Sequence, residues 1–96
     1  MSHKGERIFR INMIKNSVEA AMKAGLVVVE DKLVSECCLN FGAGRRYVLE
    51  YLKDLENTGF IVRKDGKVWT PEALRVEEII NHIDVVKEKI NEEVKQ

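Results

Sequence analysis

The stretch FGAGRRYVLEYLKDLENTGFIVRKDGKVW, Phe41–Trp69, decides how this chain folds. Its Gly42-Ala43-Gly44 breaks the chain, because glycine permits the positive φ that a tight interhelix turn needs. A helix is predicted from Arg45 to Asn57. At 100° per residue Val48, Leu52 and Leu55 cluster on one side, flanked by Leu49 and Tyr51. Arg46, Glu50, Lys53 and Asn57 fall on the other side. Gly59 is placed to stop the helix. Asp65-Gly66 then sits between two short β-prone runs. That pair is a strong two-residue hairpin signal, since a type I′ turn needs positive φ at both positions. Phe60 and Trp69 are expected to pack as core residues under the hairpin rather than as stacking platforms.

Toward the N-terminus, residues 1–5 read as a polar leader. Ile11, Ile14, Val18, Ala21 and Met22 recur at helical spacing within Glu6–Lys23, and Gly25 follows as a helix-ending glycine. Leu26–Val29 is a β-branched run long enough for one pairing strand. Asp31 is the expected N-cap of a helix over residues 32–41, with Leu33, Val34, Cys37 and Cys38 on its apolar face. Toward the C-terminus, Thr70-Pro71-Glu72 combines an N-cap threonine, a first-turn proline and an acid. A helix of residues 71–96 would reach about 39 Å. Its Val76, Ile79, Ile83, Val86 and Ile90 are spaced 3-4-3-4, a heptad seam that asks for a partner helix. The competing reading lays that helix on its own domain.

Ninety-six residues make one domain, with a core near the lower limit for independent stability. Sixteen basic and sixteen acidic side chains cancel, so any nucleic-acid surface must come from local charge. Residues 41–70 carry six basic side chains against four acidic, and residues 71–96 carry four against seven. Lysine and glutamate abound while glutamine occurs once, a balance that fits a thermophile, although six asparagines weigh against it. No apolar run of transmembrane length and no signal-peptide pattern is present, which places the chain in the cytoplasm as an expectation. Adjacent Cys37 and Cys38 do not make a metal site. They read as small buried hydrophobes, with an intersubunit disulfide as the alternative in a hyperthermophile.

Helix, short strand, helix, turn, helix, hairpin, long helix is the winged helix-turn-helix order. The segment KLVSECCLNFGAGRRYVLEYLKDLENTGFIVRKDGKVWTPEAL resembles the winged-helix proteins of archaea and their viruses. The closest likeness in layout is to small archaeal DNA-binding members that dimerise through a C-terminal antiparallel coiled coil. It covers roughly Ile11 to Ile90. Chromatin-type members tend to be basic overall, whereas this chain is neutral, which gives equal standing to a sequence-selective regulator, viral ones included. The expected fold is therefore mainly α with a small β-hairpin (α+β): a winged helix-turn-helix domain over residues 1–70 and a long dimerisation helix over 71–96. The expected partners are double-stranded DNA and a second copy, with no membrane and no small-molecule ligand.

The second helix of a helix-turn-helix can enter the major groove with its N-terminal part nearest the base edges. Arg46 points away from the apolar stripe, toward guanine O6 and N7. Arg45, Tyr47 and Lys53 suit phosphate, and Glu50 suits either cytosine N4 or a neighbouring cation. Arg63, Lys64 and Lys67 would lie along the backbone or minor groove, or simply protect the edge strand from aggregation. Val76, Ile79, Ile83, Val86 and Ile90 form the expected dimer interface. His3 and His82 read as surface residues. Without a nucleophile–base pattern, phosphate-cradling loop or metal cluster, neither an enzyme nor a cofactor is expected. The competing function is a winged-helix protein-interaction module of a larger complex.

Overall fold

A computed structural model describes the backbone of residues 3–94 and the side chains of residues 5–86. Four helices and a small sheet follow in the order α1 (His3–Lys23), β1 (Val28–Val29), α2 (Glu30–Phe41), α3 (Arg45–Asn57), β2 (Val62–Lys64), β3 (Lys67–Trp69) and α4 (Pro71–Val94). The fold is mainly helical with a three-stranded antiparallel sheet in the order β1-β3-β2, an α+β arrangement. Val28 pairs with Val68 and Val29 with Lys67, while Val62, Arg63 and Lys64 pair with Trp69, Val68 and Lys67. Among the described residues no helix is long and apolar enough to cross a membrane, and no His, Cys, Asp and Glu group is arranged to hold a metal ion.

Local chemistry accounts for most boundaries. Two helices end in the same way. The Gly25 and Leu26 amides of α1 donate to Met22 and Ala21 carbonyls, and the Gly59 and Phe60 amides of α3 donate to Glu56 and Leu55 carbonyls. Both are Schellman closures, and each needs the left-handed backbone its glycine supplies. At the hairpin tip Asp65 (φ 54°) and Gly66 (φ 72°) both take positive φ, as a type I′ turn requires. Thr70 caps α4, its Oγ1 accepting from the Ala73 amide at 3.2 Å.

Five local expectations need correction. First, α1 begins at His3 rather than Glu6. Second, the strand expected over Leu26–Val29 is only Val28–Val29, because the Leu26 amide is spent on closing α1. Third, Asp31 is not the N-cap of α2. That position is Val29, and the Glu30 amide instead donates to the Gly66 carbonyl at 2.9 Å, so the hairpin tip satisfies the helix start. Fourth, only Gly42 (φ 61°) uses left-handed backbone in the interhelix turn, while Gly44 is extended and serves as the N-cap of α3. Fifth, Phe60 is exposed and Ile61 takes the core position, because the Schellman closure turns the chain one residue before it is buried. The Lys15 ammonium covers the Phe60 ring at 3.9 Å. Trp69 is half-buried.

The core joins all layers: Ile14 and Val18 of α1, Leu33, Val34 and Cys37 of α2, Val48, Tyr51, Leu52 and Leu55 of α3, then Ile61 and Val68. Tyr51 is buried although its hydroxyl must be satisfied, and Arg10 of α1 donates to it at 3.2 Å. Burial pushes the Cys37 thiol up to about 11, so it sits in the core as a neutral small hydrophobe. Cys38 is half-buried and also free. Neither the seam nor the flank of α4 joins this core. Val76, Ile79, Ile80, Ile83 and Val86 are 41–55 % exposed. The Ile90 side chain lies outside the described residues.

Candidate nucleic-acid interface

Helix α3 and strand β2 form one wall. Arg45, Arg46, Leu49, Glu50, Lys53 of α3 and Arg63 of β2 line one open concavity of about 490 Å³. The helical arc explains the α3 members: relative to Arg46, Lys53 lies about 20° away around the axis, Glu50 about 40° and Leu49 about 60°. Leu49 went unread as a surface residue because it flanks the apolar stripe. The helical wheel nevertheless puts it closer to Arg46 than to Tyr51. Tyr47 is exposed but is not among the lining residues, since two positions along a helix turn it about 200° from Arg45. Five of the eight predicted contact residues (Arg45, Arg46, Glu50, Lys53 and Arg63) thus share one wall, and Tyr47 stands apart. Lys64 and Lys67 sit directly opposite each other across the hairpin. Like charges so placed repel, a tension that an anion between them relieves.

Arg63 has an internal task. Its Nη1 donates to Glu30 at 2.9 Å, its Nη2 to Glu56 at 3.0 Å, and its Nε and backbone amide to Glu56 at 3.3 Å. This half-buried cation therefore ties β2 to the start of α2 and the end of α3. It fixes where the hairpin stands relative to α3 rather than presenting a free guanidinium. Hydrogen bonds from Arg63 hold the Glu56 carboxyl below the usual carboxylate range. A depressed folded-state pKa gives stability that is present above the unfolded value, ~4.3, and is lost as pH falls through the folded value. Thermal unfolding should therefore show Tm dropping as pH falls below about 4.3, with Glu56→Gln lowering Tm at neutral pH and flattening that acid limb.

Three other cations are also engaged. Arg45 bonds Asp31 of α2, Arg46 Nε lies 3.8 Å from Glu50, and Lys64 Nζ lies 3.4 Å from Glu78 of α4. Among the described residues Lys53 and Lys67 have no carboxylate within ion-pair distance. Glu30, Asp31 and Glu78 were not legible as members of this surface, because each comes from another element and only folding brings it here. On the far flank Arg7 bonds Asp54 and stacks over Tyr51, which anchors α1 to α3.

The apolar seam of α4 lies elsewhere. Beside its first turns a groove of about 960 Å³ is walled by Leu26, Val27, Phe60, Trp69 and Val76, among others. The molecule measures 69 × 21 × 21 Å, with a radius of gyration of 17.5 Å. A compact chain of this length has about 12.5 Å. The excess reflects α4, whose contacts with the body run mainly through β3. Comparison with protein-family models, with curated proteins and with solved structures returned no match.

Proposed function

We propose that this protein is a homodimeric winged-helix DNA-binding protein acting as a transcriptional regulator. In this reading α3 enters the major groove, and β2 and β3 form a wing that lies along the backbone or minor groove. One observation carries it: the N-terminal arginines of α3 and the base of the hairpin share a single open wall. The wall offers guanidinium forks for base edges, an apolar Leu49 for a thymine methyl, and helix N-terminal amides for phosphate. The projecting α4 supplies the second half. Its seam of Val76, Ile79, Ile83, Val86 and Ile90 has the heptad spacing of a paired helix, and the four described members are exposed on the single chain. Pairing α4 presents two reading heads, which suit half-sites about 34–36 Å apart on one face of the duplex.

Mobility shifts on duplexes drawn from a random library test this directly. Retarded complexes at about 50 mM salt are expected, and their absence there counts decisively against DNA binding. Arg46→Ala should cost about 1–3 kcal/mol per half-site and relax the preference at one base pair, whereas Arg45→Ala should weaken all sequences alike. If Arg45→Ala/Arg46→Ala binds DNA as wild type does, α3 is not the reading helix. The second reading, a winged-helix module that docks on a protein, is favoured by exposed Ile8, Phe9 and Met13 on α1.

A further inference from the structure

We infer that three carboxylates, Asp31, Glu50 and Glu78, set the selectivity of the α3–hairpin face by withholding Arg45, Arg46 and Lys64 from indiscriminate phosphate contact. This rests on the DNA-binding reading above and adds to it a specificity mechanism.

The observation is the pairing pattern. Asp31 comes from α2, Glu50 from α3 and Glu78 from α4; the first two meet the arginines at the start of α3, and Glu78 meets Lys64 of the hairpin. Arg63 is likewise held by Glu30 and Glu56, but in a half-buried bridge with a structural task. The three outer pairs brace nothing comparable, since their side chains are 48–87 % exposed. Non-specific DNA affinity comes almost entirely from cations that neutralise phosphates and release counterions. A cation paired with a fixed carboxylate must first break that pair. The carboxylate left behind then faces the phosphates and repels them. Each exposed pair weakens phosphate binding by about 2- to 5-fold. Lys53 and Lys67, with no ion-pair partner among the described residues, keep enough charge for encounter.

The three acids differ in what they discriminate. Asp31 and Glu78 hold the two cations suited to phosphate, so they lower affinity for every sequence alike. Glu50 lies on the base-facing arc with Arg46, one turn along α3, and the pair is loose at 3.8 Å. Where Arg46 finds guanine O6 and N7, Glu50 is freed to accept from a cytosine N4 amine nearby. Where it meets base acceptors instead, it repels. Glu50 thus rejects wrong sequences as well as accepting the right one, which is how selective interfaces separate close competitors.

The test compares a duplex selected from a random library with a scrambled duplex of equal length, across 50–300 mM salt, using the full chain. In Asp31→Asn/Glu50→Gln/Glu78→Gln, affinity for the scrambled duplex should rise by about 30-fold. The log–log salt slope should steepen by about 3 per bound subunit, one increment of about 0.9 for each released cation. Glu50→Gln alone should reduce the ratio of selected to scrambled affinity by about 10-fold. In a Lys64→Gln background the gain from Glu78→Gln should shrink to the relief of carboxylate–phosphate repulsion alone, with no steepening of the salt slope. Matched circular-dichroism melts confirm that each variant is folded. An unchanged slope and unchanged scrambled-duplex affinity in the triple variant, with wild type binding DNA, overturn the inference alone. So does a Glu78→Gln gain that is undiminished without Lys64, which would reflect net charge rather than pairing. Wild-type failure to bind either duplex at low salt removes the DNA-binding reading itself.

Discussion

Ile83→Asp is expected to leave a folded monomer and to abolish dimerisation at micromolar concentration. Ile83 is 45 % exposed on the single chain, so the substitution removes little of that chain's own packing. In a paired α4 the same position lies mid-seam, between Ile79 and Val86. There an aspartate must be desolvated beside its counterpart from the second subunit. Each buried, unpaired carboxylate costs several kcal/mol, and two of them exceed what a short seam supplies. Sedimentation equilibrium should show a dimer for wild type and a monomer for the variant, with overlapping thermal melts at the level of secondary structure. DNA affinity should fall with the dimer, because the second reading head is then no longer tethered to the first. A wild-type chain that sediments as a monomer at micromolar concentration rules out the pairing of α4.

Leu52→Ala should destabilise the domain by about 3–4 kcal/mol, a large share of the roughly 5–10 kcal/mol expected for a chain of this size. Leu52 is fully buried on the inward side of α3, among core residues drawn from α1, α2, Ile61 and β3. Truncation there loses transfer free energy and leaves a cavity that several rigid elements cannot collapse into. Urea unfolding followed by circular dichroism should show the midpoint falling with an unchanged slope. Phe60→Ala provides the contrast. Although larger, Phe60 is 45 % exposed and meets the Lys15 ammonium, so its loss should cost about 1 kcal/mol or less. A Phe60→Ala variant weakened as much as Leu52→Ala would contradict the exposed position of that ring.

These two residues mark what could be read in advance. Leu52 was legible because helical periodicity is strong over α3, whose predicted span, Arg45–Asn57, is the span found. The hairpin was legible because Asp65-Gly66 is a local signal with one favoured geometry. Phe60 was misassigned because hydrophobicity suggests burial, whereas the six-residue closure around Gly59 determines which of Phe60 and Ile61 faces inward. Asp31 fits the N-cap pattern in the sequence. It lost that place to Val29 because the Gly66 carbonyl, thirty-six residues later, satisfies the Glu30 amide. That contact depends on strand pairing and has no local trace.

The candidate site divides in the same way. Sequence alone determined the arginine-led helix, the lysines flanking the hairpin tip and the heptad spacing after Pro71, because each arises within one turn or one short repeat. Tertiary structure alone decided which of these charges stand together and which are already engaged. It set Arg63 between Glu30 and Glu56 as a brace, and brought Asp31 to Arg45 and Glu78 to Lys64. Partners seven to thirty-three residues apart, on different elements, carry no periodic signature. Coulombic pairing acts through space, and the distances that govern it exist only once the core has closed.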